Sequence, residues 1–328
     1  MASARFEALG PEAALEAVEA AGLRPSGHCA VLRALENRVY DVRLEDGAPA
    51  KPSGSSSVVV KFYRPGRWSR AALEDEHRFL LDLREAEIPV CAPLALADGT
   101  TLGEREGIWF GVWPRTGGRE PDELDDGQLA IVGRLLARIH AVGALRRPQD
   151  RPALDAETAL LDPLDELLER GLLPPHCEDR YALAVEGLAD VYESRLAGVP
   201  FLRIHGDCHR GNLLRGREGW FFLDFDDFVV GPAVHDVWVL SPGRDAEGRR
   251  QRDALLAGYR QFRDFEPRWL ELVEPLRAAR FLKLSSWIAR RWDEPQFRST
   301  FPHFGTATYW EGETRELEEQ LERVASGA

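Results

Sequence analysis

The sequence predicts an α+β protein with a strand-rich N-terminal part and a mostly helical C-terminal part. Between residues 29 and 63, short segments rich in Val, Leu and aromatic residues alternate with turn-forming residues, which is typical of β-strands. One helical pattern at 69–84 follows, and two further strand-like segments end at residue 114. From residue 128 onward, apolar residues recur mainly at helical spacing.

The N-terminal part is predicted to alternate helices with short strands. The elements, in order, are a helix at 11–21, strands at 29–36, 38–44 and 58–63, a helix at 69–84, and strands at 91–97 and 108–114. Pro11 suits the first turn of the first helix, and Ser69 is the predicted N-cap of the second. Turns are predicted at Asp46-Gly47 and at 51–57, where proline, glycine and serine cluster.

The C-terminal part is predicted to be helical around a small segment of strands. Its elements are helices at 128–140 and 178–197, a strand at 201–205, a hairpin-like pair at 212–216 and 219–225, and helical stretches at 246–293 and 308–325. The pattern changes near Trp113–Gly118, so the predicted division is an N-terminal lobe of residues 1–114 and a C-terminal lobe of residues 115–328.

Composition argues against several classes of function. The net charge is −13, whereas a polyanion-binding surface is basic, so we expect no nucleic-acid or anionic-membrane partner. No apolar run reaches the ~18 residues of a membrane-spanning helix, and no secretory signal is recognisable at the N-terminus. The four cysteines are isolated from one another, as in proteins with reduced thiols. We therefore expect a cytoplasmic protein.

The strongest motif is HGDCHRGN at 205–212, followed by FLDF at 222–225. Phosphoryl transfer needs a carboxylate at the accepting hydroxyl and oxygen ligands that hold magnesium on the ATP phosphates. Asp207, then Asn212, then Asp224 at the end of an apolar strand supply those groups in that order. Ordinary turn and strand-end carboxylates are the alternative, but three such elements in this order favour a phosphotransferase.

A second motif lies at the end of the third strand. Lys61 is one of only three lysines in a chain whose 42 basic residues are mostly arginine, which hints that a compact ammonium is needed there. On the helix that follows, Glu76 falls on the apolar face between Leu73 and Leu80. A buried carboxylate needs a cation, so we expect Glu76 to pair with Lys61. Glu74, which lies off that face, is the competing partner.

The turn between the first two strands is the third feature. Protein kinases cover the ATP phosphates with a glycine-rich loop, whereas this chain has LENRVY at 35–40. We expect the side chains of Asn37 and Arg38 to contact the ATP phosphates there, because a nucleotide site needs a cover over the phosphates. An ordinary polar turn is the open alternative.

These motifs resemble those of aminoglycoside and choline kinases, which are relatives of protein kinases. The resemblance implies a protein-kinase-like fold of two lobes. It implies that Asp207 is the catalytic base and that Asn212 and Asp224 bind Mg²⁺. It also implies that Lys61, supported by Glu76, binds ATP.

Neighbouring residues are assigned supporting roles. Asp236 resembles the buried aspartate that braces the catalytic loop in these kinases. Asp226 and Asp227 adjoin the predicted metal site, although only Asp224 matches the family position. His205, which begins the motif, is expected to be structural rather than an acid–base group.

Six longer segments follow one another along nearly the whole chain. They are LENRVYDV, VVKFYRPGRW, EDEHRFLLDL, HGDCHRGNLL, DFDD with GPAVHDVW, and IARRWDEPQF with a later YW. Together they resemble the bacterial stress response kinase A family. The resemblance implies an ATP- and Mg²⁺-dependent kinase that phosphorylates Ser and Thr on proteins, including itself. It also implies a role in surviving envelope or oxidative stress, as a monomer or homodimer whose partner is a protein substrate.

The phosphate acceptor stays open from the residues alone. Asp236 follows Asp224 by only twelve residues, so the long segment that shapes the peptide groove of protein kinases is missing. A small-molecule kinase of the aminoglycoside, choline or homoserine type is therefore the alternative enzyme. A catalytically inactive pseudokinase that serves as a binding module is the alternative from another class. The retention of Lys61 and Asp207 together with Asp224 argues against it.

Overall fold

Among the described residues of the N-terminal part, five strands form one antiparallel sheet. The computed structural model describes residues 6, 8–32, 35–46, 55–217 and 219–326. The strands are β1 (Pro25–Leu32), β2 (Arg38–Leu44), β3 (Ser57–Phe62), β4 (Gly103–Arg105) and β5 (Ile108–Pro114). They lie in the order β1-β2-β3-β5-β4, so β3 is central and pairs with β2 and β5.

α-Helices form the largest part of the other described residues. In order they are α1 (Pro11–Ala20), α2 (Arg70–Glu85), α3 (Asp126–Gly143), α4 (Asp162–Glu169), α5 (Pro175–Arg195), α6 (Val234–Leu240), α7 (Ala246–Tyr259), α8 (Val273–Arg290), α9 (Pro295–Thr300) and α10 (Ala307–Ser326). Between them lie the strands β6 (Phe201–Ile204), β7 (Leu213–Gly216), β8 (Gly219–Phe222) and β9 (Val229–Pro232). β7 and β8 form the predicted hairpin, and β6 pairs with β9. The predicted α+β class is confirmed. In the part of the chain that the structure describes, no helix is both long and apolar enough to cross a membrane.

The alternation of β3 places Lys61 on the face opposite the main apolar core. Val58, Val60 and Phe62 are buried in a cluster that also contains residues of α1. Lys61 faces the other way, toward α2. That helix begins as predicted, because the Ser69 side chain accepts a backbone hydrogen bond from the first turn at 3.1 Å.

The segment at 91–97 is not the strand that the sequence predicts. Its Pro93 has no backbone N–H, so the segment cannot form a continuous ladder of hydrogen bonds. Leu94 N does donate to Val112 O of β5 at 2.7 Å. The strand β4 lies instead within the stretch that the sequence assigns to a connection, and it pairs with the other side of β5.

The first strand also differs from the prediction. β1 begins at Pro25 rather than at residue 29 and ends at Leu32, and residues 33–34 lie outside the described residues. The predicted turns at Asp46-Gly47 and 51–57 fall largely on residues that are likewise not described. The boundaries of β2, β3 and β5 agree with the predicted strands to within one residue.

The chain divides into two compact units, and the predicted catalytic, nucleotide-binding and metal-binding residues all lie in the first. The first unit contains Met1–Arg151, His205–Phe228 and Val239–Arg263, and the second contains Pro152–Ile204, Val229–Trp238 and Asp264–Ala328. In the second unit, α10 packs against α5 and α8, with Trp310 buried beside Tyr181. The predicted lobe boundary at residue 114 stays a prediction.

Candidate active site

The predicted pair of Lys61 and Glu76 is present. Lys61 Nζ lies 2.8 Å from Glu76 Oε1, and both side chains are buried, with 11% and 1% of their surface exposed. β3 supplies the lysine and the apolar face of α2 supplies the glutamate, as the helical spacing predicts. The competing Glu74 is exposed and pairs with Arg70 of the same helix at 2.7 Å.

A glycine on the neighbouring strand makes room around Lys61. Gly111 of β5 pairs with Lys61 across the sheet, and a Cβ there would lie 2.5 Å from the Trp113 ring. The rings of Trp113 and Tyr63 lie 5.0 and 4.6 Å from Lys61 Nζ, which is close enough for cation–π attraction. Burial alone would lower the pKa of Lys61, but neighbouring carboxylates raise it well above its ordinary value. The ammonium group is therefore charged at neutral pH.

Asp226 is the carboxylate on which three donors converge. Lys61 Nζ lies 3.4 Å from its Oδ1, and the Asn37 side-chain amide donates to its Oδ2 at 3.0 Å. Arg67, in the loop before α2, donates to the same Oδ2 and to Asp227 Oδ1 at 2.8 Å. Burial would raise the pKa of Asp226, but the surrounding cations outweigh it and hold that pKa well below its ordinary value.

The turn before β2 is fixed by Arg64, which follows β3. Its guanidinium donates to Leu35 O at 3.2 Å and to Glu36 O at 3.0 Å. Its backbone N–H donates to Asn37 Oδ1 at 3.2 Å. The Asn37 side chain is thus held at both its oxygen and its nitrogen, so this turn is ordered by side chains rather than by a glycine-rich backbone.

Arg151 is a buried cation at the back of the same cluster. Its Nε donates to Ala72 O of α2 at 2.9 Å, and its Nη1 donates to Asp226 O at 2.6 Å. The guanidinium carbon lies 4.2 Å from the centre of the Trp68 ring and 4.4 Å from that of the Phe228 ring. Arg151 therefore joins α2 to the segment that follows β8.

The segment HGDCHRGN is held against the end of β8. His205 Nε2 donates to Leu223 O at 2.7 Å, and its Nδ1 accepts from Asp207 N at 3.3 Å, so this histidine is structural as predicted. Leu223 N donates to Asn212 O at 2.9 Å. A Cβ on Gly206 would lie 2.2 Å from a carbonyl oxygen of the segment after β8, so glycine is required for this close approach. These contacts fix the predicted base and the predicted metal ligands on adjoining backbone segments.

The carboxylate of Asp207 is partly exposed while its backbone is fixed. Asn212 Nδ2 donates to Asp207 O at 2.9 Å, which leaves the amide oxygen of Asn212 as the atom suited to a metal. His209 Nε2 lies 3.4 Å from Asp207 Oδ2, whose side chain is 27% exposed. A carboxylate that stands on a fixed backbone and that solvent can reach is suited to act as a general base for an incoming hydroxyl.

Asp224 has an unusual backbone conformation next to this carboxylate cluster. Its φ of 55° is left-handed, which is uncommon for a residue other than glycine and is concentrated at functional sites. Its side chain is 59% exposed, with Oδ1 4.0 Å from Lys61 Nζ. Asn212 and Asp224 offer two oxygen ligands, and Mg²⁺ ordinarily completes its shell with water and phosphate oxygens. Within the described ranges, no group of three or more His, Cys, Asp or Glu is arranged to hold a metal ion.

The roles predicted for the site residues all stay predictions, and this holds equally for Arg38 and for Asp236. Arg38 packs its guanidinium over the Phe6 ring at 5.9 Å, and its contact with the ATP phosphates stays a prediction. Asp236 is fully buried in the second unit, and its bracing of the catalytic loop also stays a prediction.

Sequence reasoning missed Arg67 and Arg151, and it treated Asp226 only as a neighbour of the metal site. The segment RPGRW at 64–68 contained a signal for Arg67, since it places two arginines in a loop beside the predicted phosphate-binding lysine. In a chain whose basic residues are almost all arginine, that signal is weak. Arg151 had no local signal, because its partners, which are backbone oxygens and the Glu76 carboxylate at 3.5 Å, are distant in the sequence.

Comparison with known proteins identifies the family. Residues 29–273 match the phosphotransferase enzyme family. Stress response kinase A of Escherichia coli K12 is 36% identical over 318 residues, which are 96% of this chain and 93% of that protein. This chain belongs to the stress response kinase A family. A protein of Salmonella typhimurium with the same identity and coverage is named serine/threonine protein kinase RdoA. The predicted family is confirmed, and the matched region contains every predicted site residue.

Solved structures of other phosphotransferases share the fold at low identity. Amicoumacin kinase hAmiN, in complex with AMP-PNP, Ca²⁺ and Ami, aligns with a TM-score of 0.73 and 18% identity over 100% of this chain and 97% of that one. A microcompartment-associated aminopropanol kinase aligns with a TM-score of 0.70 and 19% identity over 96% of this chain and 97% of that one. These likenesses confirm the predicted kinase-like fold class.

Proposed function

We propose that this family member transfers the γ-phosphate of ATP, in a Mg²⁺-dependent reaction, to Ser and Thr hydroxyls of proteins, including its own chain. The observation that carries the proposal is the buried Lys61–Glu76 pair, whose ammonium also lies 4.0 Å from Asp224 Oδ1. In kinases, a lysine held by a glutamate binds the α- and β-phosphates beside an aspartate that binds the metal. The names of the relatives that are 36% identical support a protein acceptor and a role in stress response. The acidic chain is proposed to act in the cytoplasm, without a nucleic-acid or membrane partner.

Each site residue has a defined task in this reaction. Asp207 orients the acceptor hydroxyl and takes up its proton as the hydroxyl oxygen bonds to the γ-phosphorus, while the bond from that phosphorus to the β,γ-bridging oxygen breaks and ADP leaves. Lys61 neutralises charge on the α- and β-phosphates, and Glu76 holds its ammonium in position. Asn212 and Asp224 hold Mg²⁺, which supplies positive charge to the phosphates when bound. Because much of the cluster is shielded from water, these charges act more strongly than they would in solution.

Phosphorylation of a small alcohol is the second candidate. The observation that favours it is the short segment between Asp224 and Asp236, which is filled by one helical turn, β9 and the start of α6. No stretch of this segment is left over to form the platform that positions a peptide in protein kinases. A protein substrate would therefore be held through few contacts, which is consistent with broad specificity.

Mass spectrometry distinguishes the two acceptors. Purified protein is incubated with ATP, Mg²⁺ and a generic acceptor protein, and in parallel with a panel of amino alcohols, sugars and aminoglycosides. We expect phosphoserine and phosphothreonine on the acceptor protein and on the kinase, and their loss in Asp207→Ala. Asp264→Ala, at an exposed position in the second unit, is the control and should keep full activity. Rapid phosphorylation of a small alcohol with no phosphorylated protein would establish the second candidate.

A further inference from the structure

Three donors of different chemistry surround one carboxylate in the proposed nucleotide site. The ammonium of Lys61, the side-chain amide of Asn37 and the guanidinium of Arg67 all contact Asp226. Ammonium, amide and guanidinium groups are also the side-chain donors with which proteins bind phosphate oxygens. A carboxylate offers the same kind of acceptor, an anionic oxygen, to each of them.

The partners of Arg67 differ in kind from those of the neighbouring Arg64. Arg64 lies 3.3 Å from Glu36 Oε1 but also donates to two backbone carbonyls, so releasing it would loosen the turn before β2. Among the described residues, the polar partners of the Arg67 side chain are all carboxylates: Asp226, Asp227 at 2.8 Å and Glu36 at 3.8 Å. Arg67 is thus able to exchange one anionic oxygen for another without loss of a backbone contact.

The position of Arg67 also favours access to a ligand. It lies in the loop between β3, which carries Lys61, and α2, which carries Glu76. Its side chain is 15% exposed, similar to the 11% of Lys61, so its guanidinium is not sealed in the core. Arg151, the other arginine near Asp226, has no exposed side-chain surface. It donates to backbone oxygens and lies 3.5 Å from the buried Glu76 Oε2, which suits it to structure rather than to ligand binding.

We propose that Arg67 binds the phosphates of the nucleotide, and that Asp226 holds its guanidinium in place while no nucleotide is bound. This rests on the proposed function, because it assigns one further residue to the same ATP site. On binding, the guanidinium exchanges at least one carboxylate oxygen for a phosphate oxygen, next to the phosphates that Lys61 contacts. Arg67 then recognises the phosphate chain rather than the nucleoside.

The test compares ligands that differ only in phosphate. Binding of ATP and of adenosine in the presence of Mg²⁺ is measured by competition for wild type, Arg67→Met and Arg67→Lys, together with the unfolding temperature. We expect Arg67→Met to weaken ATP binding by about tenfold or more, as for a lost charge-assisted hydrogen bond, and to leave adenosine binding unchanged. Arg67→Lys should restore part of the ATP affinity. The matched control is Arg70→Met, at an exposed arginine that lies three residues after Arg67 and pairs with Glu74. It should leave both affinities unchanged.

A double variant excludes an indirect effect through the freed carboxylate. If Arg67 acts only by neutralising Asp226, Arg67→Met weakens ATP binding because the unpaired carboxylate repels the phosphates. Asp226→Asn should then abolish the loss of affinity. We expect Arg67→Met to weaken ATP binding in the Asp226→Asn background as well. Disappearance of the loss in that background, or an equal change for ATP and adenosine, would overturn the assignment. A wild-type protein that binds no ATP would overturn the proposed function, and the assignment with it.

Discussion

Asn37 Nδ2 donates to Asp226 Oδ2 at 3.0 Å, which joins two residues 189 positions apart in the chain. The bond connects the turn before β2 to the segment after β8, close to the Lys61–Glu76 pair. Because the backbone N–H of Arg64 donates to the oxygen of the same side chain at 3.2 Å, hydrogen bonds hold the Asn37 amide at both its nitrogen and its oxygen. In the proposed function this turn covers the ATP phosphates, and a turn that is already held in place reduces the conformational entropy that ATP binding would otherwise cost.

Loss of the buried carboxylate of Glu76 should affect stability and catalysis together. Glu76→Gln leaves Lys61 with Asp226 as its nearest carboxylate, 3.4 Å away. We expect the free energy of unfolding to fall by about 2–3 kcal/mol, as for a lost hydrogen bond between charged groups, and kcat/KM for ATP to fall at least about tenfold. Urea unfolding and steady-state kinetics measure the two effects. Glu74→Gln, on the exposed side of the same helix, should change stability by no more than about 0.5 kcal/mol, and an equal effect of both variants would contradict the assigned pair.

Nucleotide affinity should depend on magnesium through Asp224. The wild-type protein is expected to bind ATP at least about tenfold more tightly with Mg²⁺ than with a chelator, because the metal connects carboxylate and phosphate oxygens. Asp224→Ala should remove most of that difference and leave binding of adenosine intact. Calorimetric titration with and without Mg²⁺ gives both numbers. Equal ATP affinity of the wild-type protein in the two conditions would contradict the metal site.

The buried His77 should make stability depend on pH below neutrality. Its ring nitrogens lie 2.9 Å from Tyr63 OH and 2.8 Å from Thr101 Oγ1, and burial, aided by nearby cations, lowers its pKa from 6.5 to about 3. The unfolded chain takes up this proton near pH 6.5 and the folded chain only near pH 3, so stability is lost as the pH falls through that window. Between pH 6.5 and 5 we expect a loss of about 1.5–2 kcal/mol. Urea unfolding at the two pH values should show that His77→Gln lacks this loss of stability. The same pH dependence in His77→Gln and in the wild type would contradict the prediction.

Glu313 in the second unit should have the opposite effect. Ser285 Oγ donates to its Oε1 at 2.8 Å and Tyr181 OH donates to the same atom at 3.4 Å, yet burial raises its pKa from 4.5 to about 7. The folded state therefore holds this proton more tightly than the unfolded state, and stability is lost as the pH rises through about 7. Between pH 5 and pH 8.5, the free energy of unfolding of Glu313→Gln should therefore rise by about 2 kcal/mol relative to that of the wild type. Thermal unfolding at the two pH values measures it, with the exposed Glu311→Gln as control, and a gain that does not change with pH would contradict the expectation.

The residues that sequence reasoning placed correctly depend on local periodicity. The alternation of β3 sets the face of Lys61, and the helical repeat of α2 sets the face of Glu76, so their pairing follows from two local patterns. The order of Asp207, Asn212 and Asp224 likewise lies within one short region of the chain, which a motif can capture.

The residues that it missed depend on contacts between distant segments. The sequence around Asp226 does not predict its contacts with Asn37 and Arg67, because these contacts form only when the sheet and the segment after β8 come together. The strand predicted at 91–97 failed for a local reason instead. Its apolar content suggested a strand, but Pro93 removes a backbone donor from it.

The direct test of the whole account is single-turnover transfer from γ-labelled ATP by wild type and Asp207→Ala. Asp207 is the proposed base, and the other residues of the cluster are proposed to bind nucleotide and metal. Asp207→Ala should therefore impair phosphate transfer without impairing the binding of Mg²⁺·ATP. We predict that Asp207→Ala lowers the transfer rate by at least ~10²-fold while its affinity for Mg²⁺·ATP stays within about twofold of the wild type. Transfer at the wild-type rate in Asp207→Ala would contradict the assignment on which the account depends.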